Sequence, residues 1–250
     1  MKRQNDKKFN PWLALTIGNS RLHWAKFNGT KLVEAWDIDS FGAGASDERL
    51  ASGEWKKIPL YVASVVPSET VFWQNLPNVK IINREQIPLK GIYPSLGIDR
   101  ALAVLGAGAT CGWPILVIDG GTALTLTSAD EQHQLVGGAI FPGLKLQIKS
   151  LAQGTAALPE IFLPTQLPPR WALDTKSAIQ SGIIYTVLAG IANYIQAWWR
   201  EFPKGQVVFT GGDRTVLFSY LQSLFPDIAK KVKVDPNLIF WGIRDLVISH

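Results

Sequence analysis

The chain has 250 residues, 47% of them hydrophobic and 18% charged, which gives ample material for a buried core and excludes a disordered chain. Its single cysteine, Cys111, excludes an internal disulfide and a cysteine-based zinc site and suits a reducing compartment. The net charge of +5 is owed largely to a basic, polar tail at residues 1–10, where Lys2, Arg3, Lys7 and Lys8 face only Asp6; the remaining basic residues are scattered apart from Lys230, Lys231 and Lys233, which argues against a nucleic-acid footprint.

After the tail, which lacks the apolar stretch of a signal peptide, "PWLALTIGNSRLHWAKFNG" at residues 11–29 predicts a strand, a turn at Gly18, Asn19 and Ser20, and a returning strand. Alternation places Leu22 and Trp24 on one face, with Phe27 as a further candidate, and Arg21 and His23 on the other. Strands are expected over residues 59–65 and 79–83, and a helix over 99–109. The uncharged run 101–118, "ALAVLGAGATCGWPILVI", is long enough for a membrane span. Gly106, Gly108, Gly112 and Pro114 interrupt it, so a buried helix, a turn and a buried strand explain it better.

"WPILVIDGGTALTLTSADEQ", residues 113–132, repeats the first pattern about a hundred residues on: an apolar strand, glycine with a small polar residue, and an alternating strand. A return strand follows near 134–140, helices over 144–153, 175–201, 214–224 and 237–248, and a strand over 206–210. The 175–201 helix has Asp174 or Thr175 as its cap, and the proline-bearing stretch 154–171 reads as irregular. The expected architecture is α/β and duplicated, with domains at 1–112 and 113–250. Hairpin turns of glycine and small hydroxyl residues at equivalent ends of two domains would form a cleft for a polyphosphate. Asp119, ending a buried strand, would need pairing or a cation. No P-loop, serine-hydrolase elbow, zinc-protease helix or kinase catalytic loop is found; "GAGATCG" at 106–112 has the wrong spacing for a dinucleotide fingerprint.

Six motifs in order carry a resemblance along nearly the whole chain. "IGNSRLHW" at 17–24, "YPSLGIDRALA" at 93–103, "IDGGTALT" at 118–125, "GGAIFPGL" at 137–144, "TKSAIQSG" at 175–182 and "FTGGDR" at 209–214 resemble type III pantothenate kinases, members of the actin-like and sugar-kinase superfamily. The resemblance implies two duplicated actin-like (ribonuclease H-like) domains with an interdomain ATP cleft, and transfer of the ATP γ-phosphoryl group to pantothenate. It implies Asp99 as the base that accepts the hydroxyl proton, although an aspartate there equally suits a helix start. It places Tyr93, Gly97, Ile98, Asp99, Arg100 and Thr175 at pantothenate, with the Arg100 fork suited to a carboxylate. The first motif, Thr16, Ile17, Gly18, Asn19, Ser20, Arg21, Leu22 and His23, together with Thr122, is implied for ATP; His23 and His133 on their own read as strand residues.

Asp119 is implied to coordinate an activating monovalent cation, K+ or NH4+, and Mg2+ accompanies the ATP. A homodimer in the cytoplasm is the family expectation, and the long apolar 175–201 helix suits an interface or internal packing equally. The chain departs from the resemblance at Thr16, where the family usually carries aspartate; a neutral hydroxyl cannot replace a carboxylate's charge towards a hard cation. Two alternatives stay open: a catalytically weakened regulatory relative on the same fold, or a kinase for another small alcohol.

Overall fold

The computed structural model describes residues 11–39 and 53–249, so the basic segment 1–10 lies outside the described residues. The first sheet contains β1 (Pro11–Ile17), β2 (Arg21–Asn28), β3 (Lys31–Asp39), β4 (Leu60–Ser64) and β5 (Val79–Ile81). The second contains β6 (Ile115–Gly120), β7 (Ala123–Ala129), β8 (Leu135–Pro142), β9 (Gln206–Thr210) and β10 (Lys233–Val234). The helices are α1 (Pro67–Gln74), α2 (Ile98–Cys111), α3 (Leu144–Gly154), α4 (Thr175–Glu201), α5 (Arg214–Leu224), α6 (Pro226–Ala229) and α7 (Leu238–Ser249).

Both sheets are built to one plan. The strand orders are β3-β2-β1-β4-β5 and β8-β7-β6-β9-β10. In each, an antiparallel meander of three strands is extended by two parallel ones on the far side of its first strand. The repeat seen in the two hairpins therefore extends to whole sheets. The first strand of each meander is the most apolar because it is central, with neighbours on both edges and cover on both faces. Residues 12–17 of β1 and 115–118 of β6 are accordingly buried.

The described chain divides into two compact units, one running up to Gly106 and resuming at Ile239, the other Ala107–Leu238. This differs from a single break near residue 112: the division falls within α2, and nearly all of α7 groups with the first half. The reason is a backbone-to-backbone approach. A Cβ at Gly242 would land on the Leu102 carbonyl oxygen, so α7 can lie against α2 only with glycine there.

In the first unit, Leu13, Leu15, Ile17, Trp24, Ile38, Leu60, Val62 and Trp73 form the core on one face of the sheet. Phe27 belongs to the other face, because it stacks on Trp12 with ring centroids 4.2 Å apart and meets Trp241 of α7 edge-on. In the second unit, α4 is the core helix: Ile184, Leu188 and Ile195 are fully buried among residues of β6, β7, β9 and α5. It is the one helix among the described residues long and apolar enough to cross a membrane, and its packing gives the apolar residues another purpose. The run 101–118 resolves into α2 and β6, a buried helix and a buried strand.

Candidate functional site

The first hairpin turn closes on itself. The Gly18 N–H donates to the Arg21 carbonyl at 3.0 Å, leaving Asn19 and Ser20 exposed at the tip. Thr16 is 5% exposed and lies opposite His23 in the β1–β2 register. His23 in turn lies opposite Asp37, and its Nδ1 is 2.7 Å from Asp37 Oδ1. Arg21 approaches the same carboxylate at 3.7 Å. The sheet thus lines up Thr16, His23 and Asp37 on one face at the end where the turn projects. An acid is present in this row, but two strands away from position 16.

The second cluster surrounds the start of α2. Tyr93, exposed, precedes a turn closed by the Leu96 N–H on the Tyr93 carbonyl at 3.0 Å. The Arg84 guanidinium donates from Nη1 to the carbonyls of Pro94 and Leu96, so the loop is fastened from outside. The chain then enters the helix, with Ala101 N–H bonding Gly97 O at 3.2 Å. Ile98 is buried, while Asp99 and Arg100 are half-buried. Asp99 Oδ1 accepts the Arg100 N–H at 2.8 Å, the orienting bond of an acid in the first turn of a helix. Arg100 Nη1 is 3.3 Å from the Tyr93 hydroxyl. Gly97 supplies clearance: a Cβ there would fall on Asp99 Oδ1. Tyr93, Gly97, Asp99 and Arg100 are therefore brought together, with one Asp99 carboxylate oxygen tethered and the Arg100 guanidinium at the Tyr93 hydroxyl.

The third cluster is the turn after β6. Asp119 is half-buried at the strand end, and Thr122 is exposed. Gly121 N–H closes the turn on Ala123 O at 3.0 Å, as Gly18 does in the first hairpin. Two neighbouring loops are fitted against it. Gly143 N–H donates to Thr122 O at 2.8 Å, and Asp213 N–H to Gly120 O at 2.7 Å. Both approaches require glycine: a Cβ at Gly143 would strike the Gly121 and Thr122 carbonyls, and one at Gly211 would strike Asp119 Oδ1 and Gly120 O. Asp213 also receives Lys145 Nζ at 2.9 Å. Asp119 Oδ1 and the Gly120 carbonyl pack closely against Gly211, and a carboxylate is an oxygen donor of the kind a hard cation takes. Among the described residues no group of three or more His, Cys, Asp and Glu could hold a metal, so an ion at Asp119 would need further oxygens from a bound ligand or water.

Thr175 opens α4. The cap is its neighbour: Asp174 Oδ1 accepts the Ser177 N–H at 2.9 Å, and that backbone hydrogen bond holds the Asp174 carboxyl below its ordinary pKa. Thr175 is thus relieved of capping. It lines an open groove of about 440 Å³ between α3 and α4, whose walls include Gln147, Leu151, Leu158, Ile179 and Ile183.

Arg84, Lys145, Gly211 and Asp213 were not singled out by sequence reading. Arg84 gives no local signal, since its partners are 10 and 12 residues away. Asp213 lies within the FTGGDR motif, which was the available hint. Its partner Lys145 is 68 residues distant.

Residues 12–197 match the type III pantothenate kinase family. A type III pantothenate kinase of Nostoc sp. is 49% identical over 261 residues, covering 95% of each chain. That of Synechocystis sp. is 48% identical, covering 96% of this chain and 91% of its own. Among solved structures, a conserved Baf family protein from Campylobacter jejuni superposes with a TM-score of 0.63 at 20% identity, covering 95% of this chain and 98% of its own. The activator of 2-hydroxyisocaproyl-CoA dehydratase from Clostridium difficile, which holds ADPNP, superposes with 0.52 at 10%, covering 96% and 94%. At such identities the structures speak for the fold, that of actin-like proteins and sugar kinases. With two related α/β sheets, the ordered motifs and relatives at this identity over nearly full length, the chain belongs to the type III pantothenate kinase family.

Proposed function

We propose that this protein transfers the γ-phosphoryl group of ATP to the primary hydroxyl of pantothenate, giving 4'-phosphopantothenate and ADP in the first step of coenzyme A biosynthesis. Phosphoryl transfer asks a protein for alignment and charge neutralisation rather than covalent chemistry. The cluster at the start of α2 supports this reading most directly: Asp99 tethered by one oxygen, with Arg100 and Tyr93 beside it. Arg100 takes the pantothenate carboxylate through its planar fork, and Tyr93, Gly97 and Ile98 complete the contact. Asp99 accepts the hydroxyl proton as the alcohol oxygen bonds to the γ-phosphorus and the bond to the β–γ bridging oxygen breaks. The proton is given up late, so the position of the carboxylate carries much of the effect. Thr175, freed by the Asp174 cap, serves the same substrate.

Each hairpin turn is assigned to the nucleotide phosphates, the first through the 16–23 segment and the second through Thr122. Mg2+ accompanies the ATP and supplies charge neutralisation on the phosphates. With Thr16 in place of an acid, Mg2+ would be held mainly by ATP, water and the neighbourhood of Asp119. Asp119, half-buried at the end of β6, would hold a monovalent cation, K+ or NH4+. The enzyme works in the cytoplasm as a homodimer; exposed Phe162, Trp171 and Leu173 in the second unit are apolar surface of the kind that subunits cover.

The test is ADP release by the purified protein, with and without pantothenate, in sodium, potassium and ammonium buffers. Release that requires pantothenate and rises with potassium or ammonium supports the reading. Pantothenate-independent release, or none, refutes it.

A further inference from the structure

We propose that Lys145 is a further contact for the nucleotide phosphates, loaded onto Asp213 until the anion arrives. This rests on the assignment of the Gly120–Thr122 turn to ATP. Lys145 lies in the first turn of α3, two residues after Gly143, whose N–H is bonded to Thr122 O at 2.8 Å. Its partner Asp213 lies on the opposite flank, with its own N–H on Gly120 O at 2.7 Å. The Lys145–Asp213 bridge at 2.9 Å therefore spans the turn from one flank to the other.

The bridge is lopsided. The Lys145 side chain is 75% exposed, that of Asp213 only 10%. An ammonium has three donors, and a single acceptor buried beneath it leaves the rest of its hydrogen-bonding capacity directed outward. Electrostatics gives a second reason. Asp119 and Asp213 place two carboxylates against one short turn, an unfavourable setting for a polyphosphate. A surface-facing ammonium on Asp213 cancels one of these charges and adds donors for the incoming anion. A lysine suits this because it is a compact point charge on a flexible stem, able to lean between a carboxylate and a phosphate. Removing the ammonium strips a nearly buried carboxylate of its cation, so the bridge also steadies the loop, and the Lys145→Arg and Asp213→Asn variants separate that effect from phosphate binding.

The experiment compares steady-state kinetics of Lys145→Met, Lys145→Arg, Asp213→Asn and Thr122→Val with the parent protein. Loss of a charge-assisted hydrogen bond to phosphate corresponds to about a tenfold change in affinity. The expected result is that Lys145→Met raises the KM for ATP by about that factor, with kcat and the pantothenate KM nearly unchanged and the melting temperature lowered because Asp213 loses its cation. Lys145→Arg should restore the parental KM, and Asp213→Asn should leave it unchanged or lower it. A parental ATP KM in Lys145→Met, while Thr122→Val raises it, overturns the proposal and leaves the turn assigned to ATP. Parental values in both variants overturn the two readings together. Equal weakening by Lys145→Met and Asp213→Asn also overturns the proposal, because Lys145 would then act only by holding the loop.

Discussion

Gly97→Ala separates the catalytic from the structural reading of Asp99. A Cβ built on the Gly97 backbone falls on Asp99 Oδ1, 3.5 Å from its Cγ and 3.9 Å from Arg100 Cδ. The Gly97 backbone is outside the left-handed region, so alanine adds no dihedral strain and the whole cost falls on the carboxylate, which must turn away. An off-rotamer carboxylate costs about 0.5–1.5 kcal/mol, a shift of a few degrees in melting temperature for a chain of this size. The effect on rate is larger. Displacing a reacting group by about 1 Å costs about 10²-fold, and the loss should appear in kcat, with the ATP KM unchanged. Asp99→Asn, which keeps the shape and loses the base, should fall further, by about 10²–10⁴-fold. The assay is coupled ADP release at saturating pantothenate, beside a thermal melt. If both variants melt lower and turn over at the parental rate, Asp99 only starts a helix.

Asp119→Asn should abolish stimulation by potassium while leaving the melt unchanged in sodium; stimulation that persists would remove Asp119 from the cation. Thr16→Asp should lower the magnesium concentration needed for half-maximal rate, and an unchanged titration would show that position 16 is uninvolved in metal. Asp174→Ala should destabilise α4 by removing the bond from Ser177 N–H. Because the Asp174 pKa is lowered by that bond, its contribution is present above the unfolded carboxyl range and lost as pH falls through the folded value. The difference in melting temperature between parent and variant should therefore shrink on acidification, and a pH-independent difference would contradict the cap. Tyr220 works in the opposite sense. Burial, and then the charge of Asp213, raise its pKa, so stability is retained at neutral pH and lost as the solution becomes alkaline. Tyr220→Phe should flatten that alkaline loss.

The hairpins were legible because their pattern is local. An apolar run, a glycine with a small polar residue and a strict alternation fit in about twenty residues, and the same pattern recurs. The long helices were legible for the same reason: α4 and α5 begin and end where periodicity places them. β3 was missed because it is an outer strand. Lys31, Glu34 and Asp37 interrupt its apolar positions, and it becomes a strand by pairing with β2. α1 was missed because its eight residues are too few to show a period. The return of α7 to the first unit depends on Gly242 meeting a carbonyl 140 residues earlier in the chain, which no local window contains. The site divides in the same way. Asp99, Asp119 and Thr122 lie in motifs that can be read in line. Arg84, Gly211 and Lys145 act across folded distances, and their roles exist only once the loops have met.

The most direct test is a crystal structure of the protein with pantothenate and a non-hydrolysable ATP analogue. The account predicts the primary hydroxyl of pantothenate within about 2.6–3.2 Å of an Asp99 carboxylate oxygen, with its carboxylate on Arg100 and the γ-phosphate ready for in-line attack. Pantothenate bound with that hydroxyl remote from Asp99 would contradict it.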